Sequence, residues 1–494
     1  MISIKQTLNI ILRITPVFCC LYLLSSCSSD DSASEESETN TAASILEVTN
    51  ISENSATVSG TAQVVQGSSI LAKGFCWGTN TNPTVETDSS IDEGTNPGDY
   101  TSTISGLFDN TEYHVRAYVT TEVETFYSNG QTFTTTALCN GGAVYNGDPV
   151  NLNTQAEVDA FGAMGYCEVN TSLGIGDRFI HDDKITDISP LLTIEKVKGI
   201  FIENTLLQDL DPLQNLRSSQ YISVRENENL VNVDALINIH TPVRAIRITN
   251  NPKLLNIDGL ANVKADTQIA PTGTIDFIRV YGNPLLQNID GLSGITAWIK
   301  GDIDIRNNMS LQNINGFENL THLDRVFVKI ERNGLLQHLD GFQNLVIATE
   351  CEFEIKENQN VQHIDGLSNI TGVILNFSFK GHPLVTNINA LGGLSRIDSI
   401  NLDNNPSLTN LNGLSSVEIW SSVIVSNNES LTGLEGINNL GGDLYSFEIY
   451  GNNLLSDFCS LTQPFSTAMI NIYNVHNNAY NPTQQDIIDG NCSL

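Results

Sequence analysis

From about residue 179 onward, hydrophobic and polar positions follow one repeated phrase, and its clearest copy is Ile303 to Leu320, IDIRNNMSLQNINGFENL. Ile303 and Ile305 alternate with polar residues, as in a strand with one buried face. Asn308 follows at a bend, then Leu311 and Ile314 at three-residue steps, then Asn315-Gly316-Phe317. The phrase returns as IRITNNPKLLNIDGL (246–260) and INLDNNPSLTNLNGL (400–414). Aligned on the bend, it recurs at Asn204, Asn227, Asn251, Asn283, Asn308, Asn333, Asn358, His382, Asn405, Asn428 and Asn452, with Asp182 in a degenerate first copy. From Asn204 on, the spacing is 23 to 25 residues except for 32 between Asn251 and Asn283. One such unit cannot bury its apolar edge alone, so twelve copies predict a solenoid in which each coil covers the next. At about 4.8 Å per coil the stack would be roughly 55 Å long.

The pattern also assigns roles within a coil. Residues five and three before the bend are apolar, as in Ile246 and Ile248, Ile278 and Val280, or Phe353 and Ile355, and point inward; their neighbours point outward. The asparagines should stack, each amide bonding backbone of its own and the next coil, with His382 breaking the column. The Asp or Asn seven residues on is expected to cap an Asx-type turn, and the glycine after it to supply an unusual backbone angle. Trp298 and Trp420 share a repeat position with Leu323 and Val373, which predicts core. KADTQIAPTGT (264–274) is an inserted loop and a candidate contact site.

Before the repeats the periodicity changes. Residues 45–136 carry short alternating strands with polar turns. Tyr113, Val115, Ala117 and Val119 share one face, against His114, Arg116 and Tyr118 on the other. Several such strands in about 90 residues predict a β-sandwich, with Cys76 and Trp77 in its core. At the start, Lys5 and Arg13 precede an apolar run from Ile14 to Leu24 that is too short to span a bilayer, so residues 1–26 read as a signal peptide. Residues 27–44, SSDDSASEESETNTAAS after the cysteine, are an acidic, self-repelling tether.

Cysteine usage bears on the ends of the solenoid. Of nine cysteines, Cys19 and Cys20 leave with the signal. In an oxidising compartment, Cys139–Cys167 and Cys459–Cys492 would each close a loop at one open end of the repeats, worth roughly 3–4 kcal/mol apiece. Cys76 and Cys351 are left free, buried and inert. Residues 139–178 then form the first cap, in which Thr154-Gln155-Ala156-Glu157 is a capping box opening a short helix with Val158 and Phe161 on one face. Residues 462–494 form the second cap.

The net charge of −33 makes a nucleic acid partner unfavourable. Against that background seven basic residues, Arg225, Arg247, Arg279, Arg306, Lys329, Lys356 and Lys380, fall on outward strand positions. Asp304, Glu331, Glu354 and Asp403 alternate with them, and Tyr281 lies among them. Two readings stay open: a salt-bridge ladder with little net effect, or a binding face for a carboxylated or sulfated glycan or an acidic protein patch. His338 and His363 sit in a column otherwise filled by Asn288, Asn313, Asn387 and Asn410, too few ligands for zinc. No Ser/His/Asp set, paired-acid motif or calcium-loop consensus stands out, so no catalytic residue, metal or cofactor is expected.

Four resemblances add to this. Leu24-Ser25-Ser26-Cys27 resembles the bacterial lipobox, which implies cleavage before Cys27 and its acylation, anchoring the chain in a membrane. Ser28-Ser29-Asp30-Asp31 resembles the export signal of Bacteroidota surface lipoproteins, implying the outer face of the outer membrane, and Asp31-Ser32-Ala33 resembles an O-glycosylation site of that phylum. Gly106-Leu107 through Tyr113 to Ala117 resembles the fibronectin type III signature, implying a spacer module. The repeats are similar to leucine-rich repeats, but in Asn283-Pro284-Leu285-Leu286 the apolar residue follows the asparagine after three steps rather than two. With the trailing Asp-Gly-Leu, residues 179–461 more closely resemble the receptor L domain, which implies a right-handed β-helix. The expectation is an all-β, lipid-anchored surface protein that binds an extracellular glycan or protein without catalysis. The alternatives are a β-helical polysaccharide lyase acting on an acidic glycan, or a structural spacer.

Overall fold

The computed structural model describes residues 43–63, 68–139, 141–177, 184–265, 274–296 and 298–494. Cys27, the acidic tether, Asp182, residues 266–273 of the inserted loop and the side chain of Trp298 lie outside the described residues. Among those described, no helix is long and apolar enough to cross a membrane.

Strands dominate, and they bury two separate cores. The first lies among residues 43–133 and joins Phe75, Tyr100, Tyr113, Val115 and Phe133. Two small antiparallel sheets build it. The strand Ser55–Ala62 pairs with Ala43–Thr49 and Gly98–Ser105, while Glu112–Thr120 pairs with Ala72–Gly78, Thr125–Tyr127 and Gln131–Thr134. The Tyr113 hydroxyl accepts the N–H of Phe108 at 3.0 Å and ties the loop before this strand to its start. Cys76 is free and fully buried, with its thiol pushed up to about 12 by burial.

The second core runs without a break from Val150 to Cys492. Its strands form a 16-stranded parallel sheet, in which each repeat from Lys196–Glu203 to Leu444–Tyr450 adds a strand in register. Ile303, for example, lies between Ile278 and Val328, and Ile305 between Val280 and Ile330. After each bend a short 3-10 turn carries a second buried residue inward, such as Phe317 stacked on Phe342 with ring centroids 5.6 Å apart. A parallel stack of one strand per repeat over one continuous core is consistent with a β-helix. Cys139 is bonded to Cys167 and Cys459 to Cys492, at the two ends of this sheet. At the first end, Thr154 Oγ1 accepts the N–H of Glu157 and Glu157 Oε2 accepts that of Thr154, closing a capping box on the helix Gln155–Gly162.

From Asn227 to Asn452 the asparagine column is a hydrogen-bonded ladder of fully buried side chains, interrupted at His382. The Asn333 amide is typical. Its Oδ1 accepts the N–H of Asn308 at 3.3 Å and its Nδ2 donates to the carbonyl of Ile305 at 2.9 Å, both in the preceding coil, while Nδ2 also donates to Asn358 Oδ1 of the next at 3.2 Å. The phase at the first coil also differs from expectation. Asn204 has a left-handed backbone, as do Asn307 and Glu357 just before their ladder asparagines, and Thr205 takes the ladder position by bonding Asn227 Oδ1. At the other end Asn478 adds a step that the sequence pattern does not reveal.

Two other local expectations are corrected. The turn is capped by the residue five after the bend, not seven: Asn313 Oδ1 accepts the N–H of Asn315, and Asn288 that of Asp290. The glycine that follows has no left-handed angle. A Cβ on Gly341 would instead fall on the carbonyl oxygen of Ile314 in the coil before, and one on Gly316 on that of Ile289. Glycine is there so that successive turns can touch. A second amide column was not anticipated: Asn319, Asn344 and Asn369 each donate Nδ2 to a carbonyl of the preceding coil at 2.7 to 2.9 Å.

Candidate ligand-binding face

The two-residue strand period brings the basic residues to one side of the parallel sheet, where three outward columns run along the stack. One column reads Glu203, Arg225, Thr249, Tyr281, Arg306, Glu331, Lys356, Lys380 and Asp403. The next places Arg247 and Arg279 beside each other, followed by Asp304, Lys329 and Glu354. The third, which sequence reasoning did not single out, reads Tyr221, Ala245, Phe277, Asp302, Phe327 and Glu352. Its signal was present as an aromatic at every second coil.

Charges on this face are mostly paired. Arg225 lies 3.0 Å from Glu203, Arg306 2.9 Å from Asp304, and Lys329 3.1 Å from Glu354 and 3.4 Å from Glu331. Arg279 is bonded to Asp302 and Lys356 to Glu354. Lys380 has no ion-pair partner among the described residues. Glu331 is only 7% exposed, held between Lys329 and Lys356, so its carboxylate serves the face from beneath rather than meeting a ligand. Alternation of sign is not uniform: within the three columns, the strands Tyr221–Arg225, Ala245–Thr249 and Thr274–Tyr281 contribute arginines and no carboxylate, although the exposed Asp276 beside them pairs with Arg244 at 3.3 Å.

Aromatic rings share the face with the arginines. Arg279 lies over the Phe277 ring at 4.4 Å and Arg247 over the same ring at 5.3 Å, while Arg306 covers Tyr281 at 4.6 Å. At the centre is a shallow groove of about 310 Å³ lined by Arg279, Tyr281, Asp302, Asp304, Arg306, Phe327 and Lys329. Asp304 is the most enclosed acid in it. Burial raises its pKa, and the charges of Arg306 and Lys329 only partly oppose that shift. Its Oδ1, although close to Arg306 Nε, is poorly aligned with it and neither atom completes a hydrogen bond.

The remaining candidates separate from this face. His338 and His363 stack with centroids 5.8 Å apart, and His338 Nδ1 accepts the N–H of Asp340, the role asparagine plays in neighbouring turns. Among the described residues no three His, Cys, Asp or Glu side chains come together as metal ligands. Trp420 is not core: it is 45% exposed, beneath the Arg396 guanidinium at 4.5 Å. Ile419 points inward in its place, because register shifts in the paired strands displace the alternation by one residue.

No family model matches the chain, and no curated protein matches it. Two structures of the sensor domain of the anti-sigma factor RsgI4 in Pseudobacteroides cellulosolvens are similar to a short part, at 29% and 28% identity. They cover 19% of this chain and 94% and 74% of their own, with a TM-score of 0.16 in both cases, which carries no argument about its fold or activity.

Proposed function

We propose that the chain is a lipid-anchored surface protein that binds an extracellular glycan or protein without catalysis, using the outward face of its parallel sheet. In this reading Cys27 carries the anchor and residues 28–44 the tether. Residues 45–136 are a fibronectin type III-like spacer, and residues 179–461 a right-handed, receptor L-like β-helix. The Tyr113 hydroxyl bond to the Phe108 N–H supports the spacer assignment, since a corner tyrosine of that kind marks such sandwiches. In-register parallel strands with a buried asparagine ladder support the β-helix.

One observation carries the binding role: the groove at the centre of the sheet collects Arg279, Tyr281, Asp304, Arg306 and Lys329 with Phe327, polar groups of both signs around aromatic rings. The test is binding of the purified chain to glycan and protein arrays, beside a variant carrying Arg279→Ala, Arg306→Ala and Lys329→Ala. Saturable binding lost in the variant is expected. Depolymerisation of a bound glycan, read as new reducing ends or unsaturated products, would replace this reading with the lyase one. No saturable ligand on either array would leave the spacer reading.

A further inference from the structure

We infer that the face takes an uncharged, extended β-linked glycan lying along the stack, rather than an acidic one; this rests on the binding role proposed above. Charge is the first ground. From the strand Lys196–Glu203 to Thr371–Lys380, the seven basic residues of the three columns meet six carboxylates: Glu203, Asp302, Asp304, Glu331, Glu352 and Glu354. Arg279, Arg306 and Lys329, the cations of the groove, each have a carboxylate in contact. A polyanion would have to displace those partners while approaching a chain of net charge −33. A neutral chain meets neither obstacle, and its hydroxyls can both donate to the carboxylates and accept from the guanidinium N–H groups that the ion pairs hold in place.

Spacing is the second ground. Tyr221, Phe277 and Phe327 stand in one column at every second coil, with Ala245 and Asp302 between them. Two strand spacings put these rings about 9.5 Å apart. That is close to the rise of two sugars in an extended β-linked chain, in which every second residue presents the same face. Phe327 lines the groove itself and Phe277 continues the column under the guanidinium groups of Arg279 and Arg247, so that ring and ring–guanidinium platforms at this interval can each meet an equivalent sugar.

Affinity electrophoresis of the purified chain in gels containing hydroxyethyl-cellulose, glucomannan, carboxymethyl-cellulose or polygalacturonate tests this. Retardation by a neutral polymer is expected, unchanged when salt is raised about tenfold. Phe277→Ala and Phe327→Ala, both at outward positions, should each weaken it about tenfold while leaving the thermal midpoint in place. Retardation confined to the acidic polymers and abolished by salt would overturn the neutral-chain inference and leave glycan binding standing. Retardation by none of the four would overturn the glycan reading itself. Retardation by a neutral polymer that ignores both phenylalanine variants would overturn the assignment to this face.

Discussion

At position 382 an imidazole stands where the coils on both sides, at Asn358 and Asn405, carry amides. His382 still donates its backbone N–H to Asn405 Oδ1 at 3.0 Å, and its ring stacks on Phe379 at 3.9 Å. Toward the preceding coil the ladder fails: Asn358 Nδ2 lies 3.5 Å from Nε2, and the buried Nδ1 has no partner. Burial lowers the histidine from 6.5 to about 3, so it is neutral in the folded protein at pH 7. The unfolded chain binds a proton near pH 6.5 and the folded one does not, so stability from this residue is full above that pH and is lost as pH falls toward 3. His382→Asn removes this loss and restores the amide. Its unfolding free energy is expected to exceed that of the native chain by an amount that grows by up to about 1.4 kcal/mol per pH unit between those limits. Denaturant titrations of both proteins at pH 7, 5.5 and 4.5 measure it; a constant difference would refute the mechanism. That histidine breaks the column was legible in the sequence. Which ladder partner it fails was not, because that contact exists only between coils.

Within a coil, the turn glycine shows how a periodic sequence reveals a position without revealing its cause. Gly259, Gly291, Gly316, Gly341, Gly366 and Gly413 were visible as a column, yet their φ angles are ordinary and the constraint comes from the carbonyl of the coil before. Such a contact exists only between repeats, so no single repeat announces it. Ala235 and Ala390 fill the same position in turns five residues long, and Pro212 and Ser460 in turns of three, so wherever a Cβ is present the carbonyl of the coil before must stand clear of it, and at Gly341 it does not. Gly341→Ala in a three-residue turn should therefore cost about 1–3 kcal/mol through overpacking, whereas Ala390→Gly should cost under about 1 kcal/mol, mostly in chain entropy. Equal shifts of the denaturation midpoint would contradict the close-contact account. The same reasoning explains what was read well and what was not. Inward columns such as Ile303 and Ile305 follow from alternation alone. Trp420 lies beyond a register shift in its strand, which alternation counted from the bend cannot cross, whereas Asp302 and Phe327 lie six residues before their bends, on the near side, where the same alternation reaches them.

Among the described residues, the two cores are joined by few polar contacts, and one of them is far more enclosed than the rest. Lys196 Nζ, at the start of a solenoid strand, lies 2.9 Å from Asp109 of the antiparallel domain and 3.3 Å from Glu168 of its own sheet. Asp109 also accepts the N–H of Leu138 from the connecting segment at 3.3 Å. Burial works against the charge of Lys196, but the hydrogen bond and charge of Asp109, with Glu168, hold its pKa above the usual lysine range. By contrast the Arg217–Glu53 pair, 3.3 Å apart, leaves Arg217 45% exposed. Removing one member of an enclosed pair strands the other in a poor solvent, while an exposed pair contributes little. Lys196→Ala leaves the Asp109 carboxylate buried with one backbone donor, and should weaken the coupling of the domains by about 1–3 kcal/mol. Arg217→Ala should change it by less than about 1 kcal/mol. Calorimetry distinguishes them: the Lys196 variant is expected to split off an earlier transition for the antiparallel domain, and the Arg217 variant to keep the native profile. If both variants unfold alike, the coupling of the antiparallel domain to the parallel sheet is set by the packed surfaces and chain connection rather than by this buried charge.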